Sequence, residues 1–574
     1  MAFKMKNQEI TEVFKQIADI LEIKGENFFR IRAYRRAAQN IENLTEDIGI
    51  LLKEKKLDIP GVGADLSQKI QEMVDTGHLK YFDKIKKTIP SGLFEIMTIP
   101  GVGPKTTKLL YDNLNIDSVS KLEHAARKHK LRGLFGLKEK TEENILQGIE
   151  LIKQGRSRIL LSVAMTVAAE IIDKLKKLKL VKKINVAGSL RRKKQTIRDV
   201  DILISSTQEE KVIDEFCRIS PVKKILAKGQ TKAAILTHDA VQVDLRVVKP
   251  DSFGAALVYF TGSKAHNIHI RELAKKRGLK INEYGVFSEK TGKKVAGKTE
   301  QDVYKALNLA FIEPEIREDT GEVEASQKQK LPRLVTLADI KADMHMHSNW
   351  SDGAYFIEDM AKTAQKRGYA YIVITDHSQS LAIAHGLSPE RLKQQINEIS
   401  ALNKKFKNFK IFSGAEVDIK SDGSLDFEDN LLKRLDVVLA AVHTGFKQSK
   451  EQLTRRMVKA MQNKFVNIIV HPFGRLINER ASYELDFEQV IKVAKDTNTA
   501  LEINSYPKRL DLDDVHVRRA KQMRVMLAIG TDSHTIEQMD MMALGVSVAR
   551  RGWLEKKDVL NCLSVDEFLN RIKK

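Results

Sequence analysis

The chain has 574 residues, 30% of them charged, and a formal net charge of +22 although 76 residues are acidic. That length allows about four domains, and the basic excess points to an anionic partner without being a simple basic tail. Two cysteines, Cys217 and Cys562, give no disulfide framework, and no apolar run approaches a membrane span or a signal-peptide segment; a soluble, cytoplasmic protein with no membrane partner is expected.

In the N-terminal third, residues 7–57 carry Ile, Leu, Val and Phe at helical spacing. Residues 59–70 then read IPGVGADLSQKI and residues 99–110 read IPGVGPKTTKLL, with RGLFGLKEKT at 132–141 as a less complete third version. In the first two, a Gly-x-Gly turn lets the backbone approach a phosphate, and the helix start behind it offers unpaired N–H groups. A single GVG would read as a structural turn; the repetition of IPGVG favours a binding element. Both copies resemble the helix-hairpin-helix motif. That resemblance implies DNA-backbone contacts by Gly61, Gly63, Gly101, Gly103 and Lys105, with K⁺ or Na⁺ at the turns. FRIRAYRRAA together with the first hairpin resembles the small lyase domain of DNA polymerase beta. The resemblance assigns Lys69 to the Schiff-base position, where an amine could attack an abasic-site aldehyde, and Arg30 and Tyr34 to the 5′-phosphate pocket. Asp65 stands where the family relative carries a lysine, and a surface lysine touching DNA is the alternative for Lys69.

Residues 156–180 read as a long helix, followed by GSLRRKKQTIRDVD at 188–201. Asp199 and Asp201 are two apart at a strand start, where i and i+2 share a face, and paired carboxylates can hold divalent ions that clamp a phosphoryl transfer. Gly188 and Ser189 offer backbone N–H groups to a triphosphate, and Arg192 adds a cationic fork. Asp244, alternating with Val243 and Leu245, completes a three-carboxylate set. The stretch resembles the nucleotidyltransferase core of family X DNA polymerases, and YFTGSKAHNIHIRELAKKRGLKINEYGVF at 259–287 resembles the polymerase beta thumb. The resemblance makes Asp199, Asp201 and Asp244 catalytic and Mg²⁺-binding. It also places Tyr259 and Phe260 against the sugar of an incoming dNTP and Gly262 under its base, with Asn267 and Arg271 on the minor-groove side. The chain departs from the pattern at Lys264, at Ile197–Arg198 and at Gln242; Lys264 and Arg198 would add positive charge near the triphosphate.

The polar stretch 313–333, flanked by prolines, reads as a linker. Beyond it, seven apolar runs alternate with helical segments, which argues a parallel barrel, and nearly every run ends in a metal-capable residue. His345, His347, Asp352, His377, Glu416, His443, His471, Asp532 and His534 would meet at the barrel mouth and suit Mn²⁺ or Zn²⁺, up to three ions. Six of the 14 histidines fall in this set. The pattern resembles the polymerase and histidinol phosphatase (PHP) superfamily, and Asp376 stands beside it as a supporting residue or further ligand.

The expected fold is therefore multidomain α/β and α+β, in six parts. A helical lyase-like domain (1–88) and a second helix-hairpin-helix domain (89–153) precede an antiparallel-sheet nucleotidyltransferase palm (154–250) and a nucleotide-selection subdomain (251–316). A linker (317–334) then leads to a distorted TIM-like (β/α)7 PHP barrel (335–574). The two-part arrangement resembles the PolX-type enzymes of bacteria and archaea. It implies a monomeric, gap-filling DNA polymerase with a 3′–5′ exonuclease, acting on gapped duplex DNA with a downstream 5′-phosphate and on dNTPs. A polymerase with a purely structural barrel, a phosphatase tethered to a DNA-binding module and a non-catalytic DNA scaffold are the competing readings.

Overall fold

The computed structural model describes residue 5 and residues 7–42, 48–53, 61–97, 99, 102–134, 136–153 and 158–573. The chain forms two compact units, Met1–Arg158 with Ser220–Gln242, and Ile159–Ile219 with Val243–Lys574. No helix among the described residues is long and apolar enough to cross a membrane.

The first unit is helical. Asn7–Ile23 and Phe28–Glu42 bury Phe14, Ile17 and Leu21 against Tyr34, Ala38 and Ile41, and Arg35 reaches back to Asp19 and Glu22. This core continues without a break into Leu93, Ile96, Leu110 and Leu122, so the boundary expected at residue 88 does not divide the apolar interior. A hairpin of Val222–Lys228 and Lys232–Thr237 belongs to the same unit.

In the second unit, a helix covers Leu161–Leu175, shorter than the sequence suggests. Residues 159–160 are extended and pair with Thr196–Ile197, while 154–157 lie outside the described residues. Strand Val200–Ser205 runs antiparallel to Lys183–Val186 but parallel to Gln242–Val248. The palm is thus mixed rather than antiparallel. Helix Glu209–Phe216 and the intervening hairpin form the long crossover that a parallel neighbour requires. Helices Phe253–Thr261 and Lys264–Lys275, a three-stranded meander and helix Glu300–Ala306 follow.

The stretch read as a linker is tightly held. Arg317 and Glu322 are fully buried, and a short helix spans Glu322–Gln327. Composition misleads here because paired buried charges look, in sequence, like solvated ones: Arg317 donates to Glu300 and to the Ile312 carbonyl, and Glu322 accepts from the Asp319 and Thr320 amides.

Seven strands then lie side by side in chain order, all parallel: Ala342–Asp343, Tyr371–Ile374, Lys410–Asp418, Val437–Ala441, Val466–Ile469, Ala500–Asn504 and Leu527–Gly530. Their continuous apolar character follows from burial on both faces. Capped amphipathic helices return the chain between strands, as at Ser388 before Pro389 and Ser449 with Gln452. Two buried side chains tie the seam between the first and last strands: Asp343, which accepts from the Thr531 amide and hydroxyl, and Asn561. Asn561 Nδ2 donates to the Ala342 carbonyl (2.8 Å) and the Ile529 carbonyl (2.7 Å), while its Oδ1 accepts from the Ile529 amide (2.7 Å).

Replacing Asn561 with Leu strands these three buried backbone groups and should cost about 3 kcal/mol. Both tryptophans, Trp350 and Trp553, lie in this region. Denaturant titration followed by tryptophan fluorescence should therefore show an earlier barrel transition.

Candidate active sites

The palm cluster is built by strand register. Asp201 and Asp244 are direct partners across the parallel pair, and Asp199 immediately precedes the strand. Gly188, at φ +59°, lies against the Asp201 carboxylate so closely that a Cβ there would occupy the carboxylate's own position. Burial first, then the charges of Asp199 and Asp244, push the Asp201 carboxyl up to about 7. A crowded set of acids held in this way fits divalent cations, whose charge would relieve the repulsion.

The neighbouring predicted residues fall around this cluster. Asn267 Nδ2 bridges the Tyr259 carbonyl (2.7 Å) and the Gly262 carbonyl (3.1 Å), fixing the turn between the two helices. Phe260 packs edge-on to Tyr259 and lies beneath Arg246. Lys264 is exposed at the first position of its helix, Arg271 donates to the Asn267 carbonyl, and Arg198 pairs with Asp199 at 3.1 Å. Ser189 sits half-buried in the short helix Gly188–Arg191. The Arg192 guanidinium is already engaged, by Glu318 (3.0 Å) and the Thr261 carbonyl (2.7 Å).

In the helical unit, Gly63 and Gly103 are both extended N-caps without a side-chain cap, open to solvent in front of helices Ala64–Thr76 and Pro104–Leu114. Gly61 has φ +80°, and Lys105 stands in the first turn of the second helix; Gly101 lies outside the described residues. Gly136 (φ +82°) precedes helix Glu139–Lys153 in the third, weaker version. Tyr34 departs from its expected place. Its ring is core, 2% exposed, stacked behind Tyr81, and it is Tyr81 that Arg30 reaches (2.8 Å). Lys69 is bound to Asp65 and lies over the Tyr81 ring.

The barrel brings all nine predicted residues together. Three overlapping sets lie within ligand reach: His345, His347 and Asp532; His347, Asp352, His377 and His534; and His377, Glu416 and His443. His471 joins through Glu416, at 2.8 Å. Second partners orient the imidazoles. His345 Nδ1 meets Glu502 (2.7 Å), His443 Nδ1 meets Asp418 (2.7 Å), and His534 Nδ1 meets the Asp532 carbonyl (2.8 Å), each leaving Nε2 to face the cluster. Gly530 makes the first of these contacts feasible, since a Cβ there would collide with Glu502 and His345.

Several inward atoms lack hydrogen-bond partners. His347 Nδ1 and His471 Nδ1 have none, and His377 Nδ1 and Glu416 Oε2 lie 2.8 Å apart without hydrogen-bond alignment. Burial takes His347 down to about 3 and His471 to about 4. For His443 burial is outweighed by Glu416 and Asp418, which push it up to about 10; Asp352 and Asp532 likewise take His534 to about 9. Burial is also overridden at Glu416, which its histidines hold well below the usual carboxylate range. Carboxylates held ionised therefore stand beside imidazoles held protonated, and this donor set fits divalent metal ions that would displace those protons.

Glu502 and Asp418 carry no motif in the sequence; Asp418 ends its strand, and Glu502 lies within Ala500–Asn504. Asp376 accepts from Ser348 (2.6 Å) and Ser351 (2.5 Å), bracing the loop between His347 and Asp352 rather than facing the cluster. Substituting Glu502 with Gln removes the carboxylate behind His345. It should weaken Mn²⁺ binding by about tenfold to a hundredfold, read by titration against a chelating dye.

Comparison with known proteins accords with this layout. Family models match for a helix-hairpin-helix domain (residues 5–79), a SAM-like helix-hairpin-helix tandem (94–150), the DNA polymerase beta thumb (256–318) and the PHP domain (343–506). The chain is 40% identical over 572 residues to the DNA polymerase/3′-5′ exonuclease PolX of Bacillus subtilis (strain 168), covering 99% of this chain and all of that one. A probable phosphatase of Thermoanaerobacter sp. (strain X514) is 29% identical over 230 residues, 38% of this chain and 89% of the phosphatase. DNA polymerase lambda of Rattus norvegicus is 26% identical over 351 residues, 54% of this chain and 56% of the polymerase. With two palm aspartates in register and a third beside them, a polymerase beta thumb, a PHP barrel and similarity that runs end to end, the chain belongs to the PolX family of family X DNA polymerases.

Proposed function

We propose that this chain extends the 3′ end at short gaps in duplex DNA with deoxynucleotides, and removes nucleotides from 3′ ends at the barrel mouth. The reading is supported by two clusters of ligand-type side chains: Asp199, Asp201 and Asp244 in the palm, and six histidines with three acids in the barrel. In the palm, Asp199, Asp201 and Asp244 would hold Mg²⁺, and bound divalent ions supply charge stabilisation to an in-line displacement. Asp244 accepts the proton of the primer hydroxyl. Gly188 and Ser189 present N–H groups to the triphosphate, and Arg192 adds its charge. Tyr259 and Phe260 line the sugar, Gly262 leaves room for the base, and Asn267 and Arg271 read the minor-groove side. Lys264 and Arg198 supply further positive charge near the phosphates.

The helix-hairpin-helix turns, with K⁺ or Na⁺, and Lys105 hold the DNA backbone on either side of the gap. Affinity should fall steeply with salt, because each backbone contact releases counterions. Arg30 and Tyr81 offer the downstream 5′-phosphate a cation and a hydroxyl. A Schiff-base role for Lys69 requires its pair with Asp65 to open. At the barrel, the nine residues would hold Mn²⁺ or Zn²⁺, up to three ions. Arg509, 3.6 Å from Asp532, adds a cation for the scissile phosphate.

The test uses a one-nucleotide-gapped duplex with a 5′-phosphate and a labelled primer. Asp201→Ala should lose extension by at least about a hundredfold and keep shortening; His345→Ala should do the reverse. Shortening that survives His345→Ala would remove the nuclease from the barrel and leave the phosphatase or structural reading.

A further inference from the structure

The segment that closes the thumb and follows it, residues 313–322, is a strap whose charges fall on the nucleotide site. Arg317 donates to Glu300 (2.6 Å), which takes a bidentate contact from Arg191 (2.8 and 2.6 Å). Glu318 accepts from Arg192 (3.0 Å) and lies 3.4 Å from Lys194. Asp319 meets His269 (2.7 Å) and Glu322 meets His266 (2.6 Å), both on the helix that carries Asn267 and Arg271. Two arginines at the end of barrel helix Met542–Arg551 hold the strap from the other side. Arg550 bonds Glu315 (2.7 Å). Arg551, with a side chain 2% exposed, donates to Glu318 (3.0 Å), to the Arg192 carbonyl (2.7 Å) and to Asp514 (2.5 Å).

One carboxylate oxygen, Glu318 Oε1, therefore serves Arg192 on the palm side and Arg551 on the barrel side. Burial would raise this carboxyl, but Arg551, Lys194 and Arg192 hold it down at about 2, so it is ionised throughout the working range. Arg192 sits in the loop behind Asp199 and Asp201, and its guanidinium is divided between this anion and the Thr261 carbonyl.

We propose that Arg551 of the barrel is a positioning residue for polymerisation: by sharing Glu318 with Arg192, it sets how readily Arg192 leaves that carboxylate for the phosphates of an incoming nucleotide. The inference rests on the reading of Arg192 as a triphosphate contact. Two competing cations on one buried anion give opposite signs. Without Arg551, Glu318 turns more of its charge on Arg192 and withholds it. Without the Glu318 charge, Arg192 is released. A junction that served only as glue would be loosened by either change, and both would shift nucleotide binding the same way.

The experiment is single-nucleotide gap filling by the full-length protein, with KM and kcat for the dNTP measured separately and exonuclease rate as the check on folding. Glu318→Gln should lower KM about fivefold and Arg551→Gln should raise it about fivefold, with exonuclease within about twofold of wild type. Asp514→Asn strips Arg551 of its other anion, turns it toward Glu318 and should lower KM; this variant decides the sign if Arg551→Gln fails to fold. A KM that rises in Glu318→Gln or Asp514→Asn, that falls in Arg551→Gln, or that moves in none of them overturns the proposal. Arg192→Ala separates the two levels. If it raises KM while the other variants fail to split in sign, only the sharing fails; if it leaves KM unchanged, the triphosphate reading falls and the proposal with it.

Discussion

Negative charge packed below the surface is the constraint to which both halves of the second unit answer. A carboxylate removed from water is costly, and several together more so, unless cations or directed hydrogen bonds meet them. The palm reaches this condition with few parts: a parallel strand pair sets Asp201 beside Asp244, and a left-handed glycine closes over Asp201. The barrel reaches it with many, because six of its seven parallel strands deliver residues from near or just beyond their C-terminal ends to the same mouth. Its imidazoles are not simply neutral filler. Glu502 and Asp418 keep His345 and His443 in the orientation that faces the cluster, at the expense of two more buried acids.

What was legible in the sequence follows from how local each signal is. The Gly-x-Gly turns, the Asp199/Asp201 spacing and the seven strand runs are each set by a few neighbouring residues, and the structure places all nine barrel residues together. The signals that failed depend on distant partners. Residues 317–334 read as linker because nothing nearby reveals that Arg317 meets Glu300, or that Glu322 meets His266. Resemblance to the lyase domain places Tyr34 in a phosphate pocket, yet Phe14 and Tyr81 pack against its ring. The parallel register of Val200–Ser205 with Gln242–Val248 depends on the crossover between them, which an alternating pattern cannot distinguish from a hairpin.

Buried charge also explains why the strap is ionic. An apolar junction of the same area would hold domains together at lower desolvation cost. It would have a single arrangement, however, since close-packed side chains have no alternative partners of equal worth. Glu318 has them: Arg192, Lys194 and Arg551 surround one carboxylate, and any of the three can take a larger share when another is drawn away. Coupling by shared charge is reciprocal. If the barrel arginine influences how Arg192 meets a nucleotide, then a bound nucleotide that draws Arg192 off Glu318 must tighten the hold of Arg551 on the strap. Polymerisation and excision are opposed chemistries at the same kind of DNA end, and a chain that carries both gains from a contact through which occupancy of one site is felt at the border of the other. The sequence hides this contact for the same reason that makes it effective: its members lie at positions 192, 318 and 551, and only the fold makes them neighbours.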